Sequence, residues 1–201
     1  MFLNILSPKQ VAYLPLLQHF KREFVLVGGT AIALQIGHRK SIDLFKMKPL
    51  NKKSIKEKIA SQTIQAQKLF ENSDSIHFII NDVKWTFFYY PFAIKGTVFL
   101  DNYIKMPDLL TLAAMKFYVM GRRAKWKDYV DIYFLLKDHF TIAEVSVKAT
   151  ELFEDAYSEK LFRQQLAYFE DIDYSEPLEW VGQSVTKETI KATLLDLSIS
   201  F

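Results

Sequence analysis

The stretch "VLVGGTAIALQIGHRKSIDLF", residues 25–45, decides how this chain is read. "EFVLV" (23–27) reads as a buried strand, Gly28 and Gly29 as a tight turn, "TAIALQI" as a short apolar helix and "SIDLF" (41–45) as a second strand. A strand that ends in Gly-Gly before a helix lets backbone N–H groups approach an anion, and the helix N-terminus adds a favourable dipole. Thr30 adds a hydroxyl there. The same Gly pair is also what an ordinary turn needs, so it does not decide alone.

The acid in the second strand sharpens the question. Alternate residues of a strand share a face, so an acid-x-acid pair aims two carboxylates at one divalent cation for in-line attack on phosphorus. Asp43 supplies one carboxylate; two positions on stands Phe45. An Asp between Ile42 and Leu44 is either a metal ligand or an acid that faces solvent or pairs with Arg39.

Outward from this stretch, "SPKQVAYLPLLQHF" (7–20) has helical spacing interrupted by Pro15, and Asn51 caps a basic surface helix, "KKSIKEKIAS". "SIHFIIN" and "VKWTFFYY" form a hairpin about Asn81 and Asp82. From about residue 100 the pattern becomes helical: "PDLLTLAAMKFYVM", "KWKDYVDIYFLLKDHF", "TIAEVSVKATELFEDA", "SEKLFRQQLAYFEDI" and "TKETIKATLLDL", the last capped by Thr186. The expected organisation is an α/β domain over 1–100 and a helical domain over 101–201.

Composition narrows the classes. Half of the 201 residues are apolar and 24% charged, as in a compact globular protein; the net charge of +3 is too small to announce a nucleic-acid binder. With no Cys, disulfides, thiolate zinc sites and cysteine nucleophiles are excluded. The opening "MFLNILSPKQ" is too short an apolar run for a signal peptide and no window reads as a membrane span, so a cytoplasmic protein without a membrane partner is expected. The four His, at 19, 38, 77 and 139, have no ligand spacing, and His38 and Arg39 read as supporting or packing residues.

"GGTAIALQIGHRKSIDLF" resembles the AbiEii/AbiGii-type nucleotidyltransferase-like toxin family, toxins of type IV toxin–antitoxin pairs. The match falls on Gly28, Gly29, Thr30, Gly37, His38, Arg39, Ser41 and Asp43, with thirteen residues between Gly29 and Asp43. A second block, "LLTLAAMKFYVMGRRAKWKDYVDIYFLL", is similar to the family's later helical motifs through Lys116, Arg123, Lys127, Asp128 and Asp131. The resemblance spans about residues 24 to 137 and implies a nucleotidyltransferase-like mixed β-sheet domain with flanking helices, an α+β (α/β) fold followed by a helical C-terminal domain, with the nucleotide cleft between the two. It implies transfer of a nucleotidyl group from an NTP, with Mg²⁺ or Mn²⁺, to an acceptor such as tRNA, and a cognate antitoxin as partner. Asp43 would hold the metal; Asp43, Lys127 and Asp131 would be catalytic. Gly28, Gly29, Thr30, Arg39, Ser41, Lys116 and Arg123 would bind the nucleotide. Lys127 and Asp131, four apart on one helical face, form an ion pair, or Asp131 takes part in proton transfer.

The departures matter as much. Phe45 replaces the family's second acid, and Thr86 stands where related polymerase-like enzymes often carry a third. Glu71, Asp74 and Asp131 are the acids that could restore the site. The alternative is a catalytically inactive nucleotide- or RNA-binding protein on the same fold.

Overall fold

The computed structural model describes residues 1–39, 50–62, 65–120 and 122–200, arranged as two compact units, Met1–Asp108 and Leu109–Phe201. Ser41, Asp43 and the strand expected over 41–45 lie outside the described residues.

The first unit opens with a capping box: Ser7 accepts from the Gln10 N–H while the Gln10 side chain accepts from the Ser7 N–H, and helix α1 (Pro8–Ala12) follows. Pro15 does what its ring requires. Helix α1 stops before it and the chain goes on as a 3-10 turn, Leu14–His19. Among the described residues, 23–27 pair only through one parallel bridge from Val25 to Lys105 rather than as the expected strand, secured by the Leu26 N–H on the Lys105 carbonyl at 2.8 Å. Gly28 and Gly29 likewise do not make a separate turn. They are the first residues of α2 (Gly28–Ile36), with Val27 extended before them and Gly28 at φ +70°. Helix α2 is apolar on almost every side, as a core helix is, and ends at Gly37 in the left-handed region at φ +72°.

Asn51 caps α3 (Lys52–Ala60) by accepting from the Ser54 N–H at 3.0 Å. An antiparallel sheet follows: β1 (Ala66–Glu71), β2 (Ser75–Ile80) and β3 (Val83–Phe88), in that spatial order. Asn81 and Asp82 both have positive φ, as a two-residue primed turn demands. Strand β1 was not legible beforehand: "AQKLFE" is mostly exposed and carries a bulge at Leu69, so its alternation is broken. A second hairpin, β4 (Val98–Leu100) and β5 (Ile104–Met106), is too short to leave a periodic signal.

The second unit is all helical: α4 (Leu109–Met120), α5 (Trp126–Asp138), α6 (Ile142–Phe153), α7 (Glu159–Leu166) and α8 (Lys187–Ile199). Helix α4, buried along most of its length, packs against α5, α6 and α7, with the Phe117 and Phe162 rings stacked at 3.7 Å between centroids. Thr141 and Glu144 make a second capping box, at α6. The expected stripe on α5, Tyr129, Ile132, Tyr133 and Leu136, is buried. No helix among the described residues is long and apolar enough to cross a membrane.

Candidate functional site

The densest polar chemistry of the second unit lies inside it. Asp128 sits in the first turn of α5, where the helix dipole favours an acid, and Asp131 follows three residues later on the same face. Lys116, from the buried face of α4, reaches both: its Nζ bonds Asp128 Oδ1 and lies 2.6 Å from Asp131 Oδ2. Arg123 closes the group from the surface, its Nε donating to Asp128 Oδ2 at 2.9 Å and its Nη2 to Oδ1 at 3.3 Å. The Lys116, Asp128 and Asp131 side chains are 6%, 2% and 0% exposed, whereas that of Arg123 is half exposed.

Two cations balance two carboxylates, which is what such burial requires. Burial pushes the Asp128 carboxyl up, but the charges of Lys116 and Arg123 and the hydrogen bond from Lys116 outweigh it and hold the group below its ordinary value. An ammonium has three donors, and two here are committed.

Lys127 does not join this group. Its Nζ is 3.5 Å from Glu176 Oε2, and Glu176 also takes Lys125, so the expected Lys127–Asp131 pair is replaced by Lys116–Asp131. Residues four apart on a helix differ by about 40° in direction, and the difference suffices: Asp131 turns inward while the flexible Lys127 stem carries its charge toward water. Glu176, the partner Lys125 and the role of Asp128 were missed. The spacing of Asp128 and Asp131 carried the signal for the last; nothing local in the sequence points to Glu176.

In the first unit, Gly29 and Thr30 are buried in the first turn of α2, and Gly28 is half-buried. Thr30 lines a small, partly open apolar pocket of about 30 Å³ with Leu17, Leu26 and Trp85. His38 and Arg39 are buried after the end of α2, at 5% and 2% exposure. Thr86 is buried in β3 and its hydroxyl has no hydrogen-bond partner among the described residues. Asp82 is a turn residue that pairs with Lys9, and Glu71 is taken up by Lys56 and Lys68.

No group of three potential metal-ligating side chains occurs among the described residues. Among the described residues the buried acidic pair Asp128 and Asp131 already embraces the Lys116 ammonium where a cation would sit, so it does not fit a divalent ion. Asp43 lies outside the described residues.

Two solved structures share this architecture. MenT4, a nucleotidyltransferase toxin of Mycobacterium tuberculosis H37Rv, superposes with a TM-score of 0.62 over 94% of this chain and 81% of its own, at 15% identity. The fold is nucleotidyltransferase-like. JHP933 of Helicobacter pylori agrees with a TM-score of 0.54 over 94% of this chain and 88% of its own, also at 15% identity. In sequence, an uncharacterized protein of Aquifex aeolicus (strain VF5), aq_aa25, is 28% identical over 178 aligned residues, covering 75% of this chain and 83% of that protein. No protein-family model matches the chain. The nucleotidyltransferase-like fold expected from the two sequence blocks is therefore met, with its helical second half.

Proposed function

We propose that the protein transfers a nucleotidyl group from an NTP to an acceptor hydroxyl, with tRNA as the acceptor, as the toxin of a type IV toxin–antitoxin pair in the cytoplasm. The observation that carries the reading is the Lys116 ammonium, pinned by two buried carboxylates with one N–H uncommitted among the described residues, on a nucleotidyltransferase-like fold. In such a reaction the acceptor oxygen attacks the α-phosphorus, the bond to the bridging oxygen breaks and pyrophosphate leaves. Fixed cations offset the charge gathering on the phosphate oxygens. Lys116 and Arg123 serve that role, and Asp128 and Asp131 orient Lys116. Lys127 meets the triphosphate. In the first unit, Gly28, Gly29, Thr30, Arg39 and Ser41 bind phosphate, and Asp43 holds Mg²⁺ or Mn²⁺.

A second reading, a catalytically inactive nucleotide- or RNA-binding protein, is favoured by one observation: the position open to a third acid holds Thr86, buried in β3. Incubation of the purified protein with each labelled NTP, bulk tRNA and Mg²⁺ or Mn²⁺, beside Asp43→Ala, separates the two. Label transferred by the wild type and lost in the variant supports transfer. NTP binding that survives chelation of the metal, with no transfer, supports the second reading and ends the first.

A further inference from the structure

The short hairpin of the first unit displays a surface that contains none of the residues assigned above to nucleotidyl transfer. In β4 and β5, Leu100 and Ile104 turn inward along with Met106, so the residues between them must turn outward. Those are Phe99 and Lys105, directly opposite each other in the register, with the Lys105 Nζ 4.9 Å from the centre of the Phe99 ring. Phe99 is 59% exposed, an unusual place for a Phe on a strand that could carry any polar residue. The pair lines a groove of about 740 Å³ whose walls bring in Lys21, Arg22 and Lys95. Of its two acids, Glu23 is taken up by Lys58 and Asp101 sits at the hairpin turn. The groove thus gathers four cations, against Asp101 and the Lys58-paired Glu23, around one presented aromatic ring.

We infer that this groove docks single-stranded RNA, with phosphates along Lys21, Arg22 and Lys95 and a base stacked on Phe99. An exposed aromatic with one face toward Lys105, beside a cationic track, is what a splayed base and its backbone need. A duplex offers no free base face to stack. An acidic protein would find the charges but would gain nothing specific from a single ring held upright by a cation. Thr97 and Asn102 line the same groove and supply hydrogen-bonding groups for ribose 2′-hydroxyls. The inference goes beyond the transfer reading, because docking requires neither NTP nor metal.

The test is fluorescence anisotropy with a labelled, unstructured 12-nucleotide RNA, without NTP or divalent ion, for the full-length wild type, Phe99→Ala, Phe99→Trp and the triple variant Lys21→Ala/Arg22→Ala/Lys95→Ala. Phe99→Ala is expected to raise Kd about 5- to 100-fold and Phe99→Trp to keep or lower it, as base stacking predicts. The triple variant is expected to lower the slope of log K against log salt by about 2, at roughly 0.7 per phosphate lost from a single strand. Phe99 is exposed, so its variants are expected to keep the fold, which circular dichroism checks. Unchanged affinity in both Phe99→Ala and the triple variant overturns the inference. So does equal affinity for duplex RNA, equal affinity for the matching DNA strand, or displacement by polyglutamate at equal charge. Loss of nucleotidyl transfer with RNA binding intact would count against the proposed function alone.

Discussion

At the scale of single residues, the cluster around Lys116 is where truncation costs most. Lys116→Met leaves two buried carboxylates with only the half-exposed Arg123, which reaches Asp128, to offset them, and removal of one partner from a buried ionic group typically costs about 3–5 kcal/mol. Urea unfolding should show that loss, and Lys116→Arg should recover part of it; a Lys116→Met protein as stable as the wild type would mean that the charges are solvated. The pH dependence has a definite sign. Asp128 is held below its ordinary 3.8, so its contribution is present above that pH and fades as pH falls through the lower, folded value. Asp128→Asn should therefore flatten the acid limb of stability against pH below about 4 while costing stability at pH 7. This is also the scale at which the sequence was least readable. Lys116, Asp131 and Arg123 were picked out, but who pairs with whom depends on which way a side chain turns across two helices, and that is a tertiary fact.

At the scale of elements, legibility followed local chemistry. Ser7, Asn51 and Thr186 were read or implied as helix starts because a cap is a contact within three residues, and each side chain does accept the expected N–H. The Asn81–Asp82 hairpin was legible for the same reason. Residues 23–27 misled because five apolar-rich residues beside a Gly pair look like a strand, while a strand needs neighbours, and among the described residues only Lys105 bridges to Val25. The end of α2 rests on one backbone conformation. Gly37 sits at φ +72°, and a Cβ added there would stand 2.6 Å from the Phe2 ring. Gly37→Ala should lose about 1–2 kcal/mol, from the left-handed backbone alone. Thermal melts should record the drop, and an unchanged midpoint would show that the turn relaxes.

For the whole molecule, alkali acts on two buried hydroxyls of the second unit. Tyr129 and Tyr157 are both in the second, and burial pushes each hydroxyl up to about 12 from an ordinary 10.0. Tyr129 donates to the Tyr168 carbonyl at 2.8 Å and accepts from Gln165, and Tyr157 bonds Ser146. A raised pKa means stability that is whole below about pH 10 and drains away as pH rises toward 12. The urea midpoint should fall between pH 9 and pH 11, and the fall should shrink in a Tyr129→Phe/Tyr157→Phe double variant. An equal fall in both proteins would place the alkaline weakness elsewhere.

The bulge in β1 reaches beyond the single chain. Among the described residues this strand pairs with β2 alone, and Leu69 and Phe70 are each about half exposed. An unprotected apolar edge of that kind invites a second copy to add its own strand, and then a third. Leu69, the extra residue, breaks the row of backbone groups such stacking would follow, and Lys68 and Glu71 set charges beside it. Deleting Leu69 should straighten the edge and make the chain self-associate as its concentration rises, visible by light scattering; a variant that stays monodisperse would show that the charges suffice. A kink that looks like an irregularity of the sheet is, in the crowded cell, insurance against fibre growth.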